Sequence, residues 1–403
     1  MSDAQSFGLA VAGVAGAGLG AILLNRLSER IQIPAPAFVL VAAALAAHAF
    51  PELGGLDRAT VERVVSLALV VILFEGGLHI GYRRFRSVAA PVALLGVVGT
   101  FVTTAGVAAF AHAALGFDWY VAVLLGAAIA PTDPAVVFAV LGRREIEGPG
   151  GAVLEGESGA NDPVGIALMT ALLAAGELSR GALGEAAVEF ALQMAVGLAA
   201  GIAGARALDR LNQVGLPNEA LHPLRAVAGA FALFGLTSAV HGSGFLAVFV
   251  AGIALGDAPA PYKLRTERFL AGLAGLGEIV AFVVLGLTVD LDVLARADVW
   301  GPGLALGAAV AVVIRPALVG LCMQPLSLAR NEQAFVLWAG LKGAVPILLG
   351  SLLLGAQVAD APRLYGIVVV VVVLSVVVQG GTVGLAARLL RIPMRTREHA
   401  PDG

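Results

Sequence analysis

Charge is scarce in this chain. Only 13% of its 403 residues are Asp, Glu, Lys or Arg, and 59% are hydrophobic. A soluble domain carries about 25% charged and about 45–50% apolar residues. Too little charge remains to cover a water-facing surface, which excludes a soluble globular fold and makes lipid the expected solvent. Cysteine is nearly missing. Cys322 stands alone, so an intrachain disulfide and a Cys-rich metal site are both excluded. Met1 to Phe7 contain no basic stretch and no cleavage motif, and the first apolar run reads as mature structure. The net charge of −3 carries no signal for a nucleic-acid partner, and none is expected.

Glycine, by contrast, is abundant at 52 residues, and small residues let helices approach closely in lipid. A spanning helix needs about 20 mainly apolar residues. Thirteen stretches qualify, approximately 7–25, 33–50, 60–78, 88–115, 119–141, 152–175, 185–206, 222–240, 243–257, 268–289, 301–322, 332–355 and 364–390. The fold class is therefore an all-α polytopic membrane protein of about 13 transmembrane helices, a single transmembrane unit over 1–403. No soluble domain fits between the spans. Only a dozen residues follow Arg391, so no soluble C-terminal regulatory domain is expected.

Basic loop residues set orientation, since cytoplasmic loops are enriched in Lys and Arg. With the N-terminus outside, the cytoplasmic side receives Arg26, Arg30, Arg83, Arg84, Arg86, Arg143, Arg144, Arg206, Arg210, Lys263, Arg265, Arg268 and Arg330. Arg388, Arg391, Arg395 and Arg397 join them, leaving Arg58, Arg180, Arg296 and Arg363 outside. One missed span would scramble this asymmetry. Arg63 and Arg225 lie near helix ends and can snorkel. Arg315 and Lys342 sit deep in apolar runs and need partners.

An ionisable residue at a helix centre costs about 2.5–3.5 kcal/mol and is a functional candidate, with a structural ion pair as the alternative. The densest polar cluster is GESGANDPVGIALMT, Gly156 to Thr170. Ser158 and Asp162 are four apart on one helical face, and Glu157 and Asn161 share the neighbouring one. Carboxylate and hydroxyl oxygens suit a small hard cation, while the Glu157 face can hold a cationic partner. A helix cap within a loop is the plainer reading. In AAIAPTDPAVVFAV two prolines flank Thr132 and Asp133, and proline breaks a helix interior. Backbone freed at membrane depth is tolerated where it is buried or lines a cavity, with a simple kink as the competing reading. A matching break occurs at GLKGAVP, Gly340 to Pro346, seven spans later. Paired interrupted helices point to a transporter built from inverted repeats, with two crossed discontinuous helices. Glu75, in VVILFEGGLHI, faces the same cavity or is solvated near a helix end. Glu278 and Asp290 read as helix-end or packing residues, and the histidines do not cluster.

ESGANDPVGIALMT resembles the Glu-Ser-x-x-Asn-Asp signature of the monovalent cation/proton antiporters, in their sodium/proton exchanger branch. APTDPAVV, LFEGGL, GSGFLAVFVAGIALG, the Arg315 segment and GLKGAVPI resemble further family segments in the same order. The resemblance implies that Asp162 binds cation and proton in turn. Ser158 and the Thr132 backbone would be further ligands of a monovalent cation, Glu75 would act through water, and Asp133 would balance the crossed helices. It also implies a Glu157–Arg315 pair, an Asn161 brace on the unwound segment, and a homodimer in the cell (plasma or inner) membrane. Asn161, where other branches carry a second Asp, resembles electroneutral exchangers. One position departs: relatives commonly have Arg where Lys342 stands, and Lys lacks the planar fork.

The expected function is thus Na+ (or K+)/proton antiport by alternating access, without a cofactor. A cation channel could use the same cavity. An intramembrane serine protease, with Ser158 as nucleophile and His241 as base, would leave Asp162, Asp133 and Lys342 unexplained.

Overall fold

The computed structural model describes residues 35–141, 144–326, 328–356 and 358–396, together with Gly8, Gly16, Leu19 and Gly20. Most of the first expected span, with Arg26, Arg30, Arg143 and Arg397, lies outside the described residues. Each of the remaining twelve expected spans contains helix among the described residues, and two of them, 119–141 and 332–355, are interrupted.

The first half of the described chain holds α1 (Ala35–Ala49), α2 (Arg58–Ala93), α3 (Gly99–Leu115), α4 (Trp119–Ile129), α5 (Pro134–Leu141), α6 (Pro149–Ala175) and α7 (Arg180–Asn212). Then come α8 (Leu221–Ala239), α9 (Gly244–Gly256), α10 (Lys263–Leu287), the short α11 (Leu291–Leu294) and α12 (Ala297–Ala309). The last five are α13 (Gly320–Met323), α14 (Arg330–Ala339), α15 (Ala344–Gly355), α16 (Ala361–Leu374) and α17 (Gly381–Leu389). Three wide-turned π-helical segments, Leu94–Val98, Val310–Val319 and Ser375–Gly380, join α2 to α3, α12 to α13 and α16 to α17. One short antiparallel pair, Arg144–Ile146 with Met394–Thr396, is the single β element among the described residues.

Five rods among the described residues are long and apolar enough to cross a membrane, and the bent pair α14–α15 makes a sixth. The count is lower than thirteen for physical reasons. The rod Arg58–Leu115 contains two expected spans, joined at Gly81, whose φ of 66° breaks the helix. Glycine tolerates that conformation. The helices α1, α4 and α9 are short, and α6 carries Glu155, Glu157 and Asp162.

The core forms where backbones touch. A Cβ on Gly77 would meet the Phe249 carbonyl oxygen at 2.5 Å, so α2 and α9 pack with glycine at the crossing, the device that close packing in lipid requires. α2 also lies against α6 and α10, and α9 against α7. α7 is the outermost rod and exposes Leu183, Val188, Leu192, Leu198 and Ile202, an apolar face suited to lipid.

Side-chain contacts sort the connecting segments into two ends of the bundle. At one end the Arg83 amide donates to Asp257 (2.6 Å) and Arg265 pairs with Glu219 (2.6 Å). Gly148 and Gly150 lie against Glu332, and residues 144–146 pair with 394–396. At the other end Arg363 donates to the Asp298 carbonyl (3.0 Å) and stands 5.0 Å over the Phe117 ring. Tyr120 there donates to the Leu172 carbonyl (3.1 Å). Among the described residues, the segments carrying Arg83, Arg144, Arg265 and Arg395 share the first end, and those carrying Arg296 and Arg363 share the second.

Candidate functional site

Two helix breaks meet at the centre of the molecule. α4 stops at Ile129; Ala130 still keeps helical angles, and Pro131 after it has no N–H with which to continue the ladder. Pro134 then opens α5 at the position where its missing N–H costs nothing. The second break lies between α14 and α15, which meet at 41° across Gly340 to Gly343. The two unwound stretches touch directly, with the Asp133 amide donating to the Leu341 carbonyl at 2.8 Å.

Helix ends leave carbonyls and amides without intrahelical partners, and here side chains supply them. The Lys342 ammonium donates to the carbonyls of Ala130 (2.9 Å) and Pro131 (3.1 Å), capping the C-terminal end of α4. That placement is electrostatically sound, since a helix C-terminus carries partial negative charge. The Asp133 carboxylate lies against Gly343, the residue from which α15 starts, so an anion faces a helix N-terminus. Arg315 completes the set. Its Nε donates to the Leu337 carbonyl (3.0 Å) and one terminal nitrogen to that of Val336 (3.3 Å), in the last turn of α14. The same nitrogen reaches both Glu157 oxygens, at 2.8 and 3.0 Å.

α6 supplies the polar face toward the first break. Asn161 bridges Thr132 twice: the Thr132 amide donates to Asn161 Oδ1 (3.2 Å), and Asn161 Nδ2 donates to Thr132 Oγ1 (2.8 Å). Ser158 Oγ donates to the Thr132 carbonyl. Asp162, one turn further along the same face, is 8% exposed, and its Oδ1 is buried with no hydrogen-bond partner. Glu157 and Asn161, on neighbouring turns of one helical face, take separate partners, Arg315 for Glu157 and Thr132 for Asn161. The structure therefore brings Ser158, Asn161 and Thr132 into one hydrogen-bonded group, with Asp162 one turn on, and Asp133 and Lys342 into the crossing beside it. Glu75 stands half-buried on α2.

Other sequence candidates fall elsewhere. Asp290 caps α11, accepting from the amides of Asp292 (2.9 Å) and Val293 (3.2 Å). Arg225 donates to the carbonyls of Leu211 (2.8 Å) and Val214 (2.9 Å), at and just past the C-terminal end of α7. His241 is exposed in a turn, whereas Ser158 is buried and bonded to Thr132, an arrangement unlike a nucleophile and its base. Glu278, read from the sequence as a helix-end or packing residue, lies within α10 rather than at its end. Ala274, Ala281, Phe282 and Leu285, on its face of α10, are all buried. Its Oε1 is buried without a hydrogen-bond partner. Helical phase around Glu278 was the available signal. Ser375 and Gln379 were also missed, although two polar residues in a valine run are conspicuous.

The oxygens on this face are hard donors, suited to a small hard cation rather than to a soft metal. A family model described as sodium/hydrogen exchanger, transmembrane, matches residues 14–389. The chain is 31% identical over 382 residues to the K(+)/H(+) antiporter NhaP2 of Shewanella oneidensis, covering 93% of this chain and 65% of that protein. It is 34% identical over 393 residues to the K(+)/H(+) antiporter NhaP of Alkalimonas amylolytica, covering 94% and 66%. The chain thus spans just under two thirds of the length of these relatives. Its fold is similar to that of the sodium proton antiporter MjNhaP1 of Methanocaldococcus jannaschii, with a TM-score of 0.79 at 22% identity over 96% of this chain and 99% of that one.

Proposed function

Because the chain belongs to the sodium/hydrogen exchanger family, we propose that it exchanges a monovalent cation, Na+ or K+, for protons at Asp162. The observation that carries this reading is the Asp162 carboxylate itself. Glu157, Arg315 and Lys342 are all bonded in the same core, yet Asp162 keeps a buried oxygen without a partner. A buried carboxylate in that condition needs a proton or a cation.

Ser158, through its free lone pairs, and the Thr132 carbonyl are the further ligands, and Glu75 contributes at longer range. Asp133 and Lys342 hold the helix ends, while Glu157, Asn161 and Arg315 brace the frame. Proton and cation compete for Asp162, so one leaves as the other arrives. An empty, charged site resists crossing the apolar barrier, and this makes the exchange obligatory. The two broken helices belong to inverted repeats, and the site is exposed to each side in turn. One exchanging carboxylate makes the cycle electroneutral. The protein works as a homodimer in the cell membrane, with the arginine-rich end of the bundle in the cytoplasm.

The test is reconstitution in liposomes containing a pH-reporting dye, with an imposed proton gradient and Na+, K+ or Li+ added in turn. Collapse of the gradient by one cation, insensitive to membrane potential, is expected. Flux that follows the potential and moves no protons would indicate a channel, and silence toward every cation from folded protein would refute exchange.

A further inference from the structure

We propose that Ser375 and Gln379, on the π-helical segment of the last rod, are positioning residues that fix the second helix break and thereby the Lys342 ammonium. The unwound stretch between Ala339 and Ala344 has lost its helical hydrogen bonds, and its polar backbone needs partners elsewhere. Ser375 supplies one by accepting from the Lys342 amide at 3.0 Å. Its hydroxyl donates to Gln379 Oε1 at 2.7 Å, and Gln379 Nε2 donates to the Trp338 carbonyl at 3.1 Å. Trp338 is bonded in turn, from its indole nitrogen to the Thr382 hydroxyl at 3.1 Å. The relay therefore holds the break at two points, the last turn of α14 before it and Lys342 within it.

Both side chains are buried, Ser375 at 5% and Gln379 at 4% exposure, in the apolar run VVVLSVVVQGG. Polar groups so placed are costly unless fully satisfied, and each bond they make ends on the break or on the other member of the pair. The rod carrying them widens to π geometry from Ser375 to Gly380, a feature frequent at functional sites. The other two π segments also touch this core. Val310–Val319 carries Arg315, bonded to Glu157, and Gly96 of Leu94–Val98 lies against Ala160. Fixing the Lys342 backbone fixes where its ammonium can reach, and so holds the positive charge at the Ala130 and Pro131 carbonyls. A charge that shifts by a few ångströms in a low-dielectric core changes the potential at a neighbouring cation site strongly.

This inference rests on the exchange reading, and two measurements on the full-length chain separate the two. The first is hydrogen–deuterium exchange of peptides covering 338–346 in Ser375→Ala, Ser375→Thr and wild type. Faster exchange confined to Ser375→Ala is expected, whether or not the protein transports. The second is the cation KM and turnover in liposomes. Ser375→Ala is expected to change the cation KM about tenfold, the effect of losing one buried hydrogen bond, with turnover altered far less. Ser375→Thr, which keeps the hydroxyl, should stay within about twofold of wild type. A merely structural role would lower the melting temperature and leave KM in place, and that result overturns the proposal. Should Ser375→Ala not be recovered folded, Gln379→Met removes the relay at its far end with similar volume and is read by the same two outcomes. Wild-type protein that transports nothing would instead defeat the exchange reading.

Discussion

At the scale of single residues, the core is governed by where charge meets a helix end. Glu157 and Arg315 are 2% and 3% exposed and hold each other at 2.8 Å. Removing one partner of such a pair strands the other charge, at a cost of about 3–5 kcal/mol. Glu157→Gln should therefore lower the melting temperature sharply, and a variant as stable as wild type would contradict the pairing. Gly343 makes a second point. A Cβ there would overlap the Asp133 carboxylate, whereas one on Gly235 would meet nothing within 4 Å. Gly343→Ala is expected to abolish exchange, and Gly235→Ala to leave transport rates at the wild-type level. The acidic and basic residues of this centre were legible because charge inside an apolar run is rare. That the Lys342 charge offsets a half-helix end was also legible from the break it sits in, but which carbonyls it reaches, Ala130 and Pro131, was not, since backbone partners leave no trace in side-chain identity.

Among the elements, prolines and glycines made the breaks readable, and Arg83, Arg84 and Arg86 marked a loop between the two spans of the first rod, while the residue that turns the chain there was harder to see. Gly81 bends one rod into two spans with a single residue, and nothing in VVILFEGGLHIGYRRF distinguishes it from Gly76 or Gly77 until its φ of 66° is known. The π-helical segments left no sequence pattern either, because the apolar run continues through them. Ordinary capping operates at the exposed ends. Asp57 caps α2, and hydrogen bonds from the Thr60 hydroxyl and amide hold its carboxyl below the ordinary value of 3.8. A lowered folded pKa contributes stability that is complete above the ordinary value and is lost as pH falls through the folded one. Asp57→Ala should accordingly melt below wild type at neutral pH, with the gap closing in acid. A gap that persists unchanged in acid would show that the carboxylate is not its source.

Across the whole molecule, basic residues and contacts tell the same story independently. Charge counting assigned alternate loops to opposite sides, and the contacts keep the two sets apart: the ion pair and strand pair join loops of one set, and the ring contact joins loops of the other. Agreement arises because an even number of crossings separates any two loops at one end. The relation of the two breaks was also visible from spacing, whereas their contact through Asp133 and Leu341 needed three dimensions. Orientation is testable in a Cys322→Ser background. Arg363→Cys should react with an impermeant thiol reagent from outside the cell, and Arg268→Cys only after the membrane is opened. The reverse pattern would invert the proposed topology.

The measurement closest to the central claim is proton release from purified protein in weakly buffered detergent when Na+ or K+ is added. Competition at one carboxylate requires that a bound cation expel about one proton per chain. Wild type is expected to show that release, saturating with cation concentration, and folded Asp162→Asn to show none. Equal release from both proteins would contradict the assignment of exchange to Asp162.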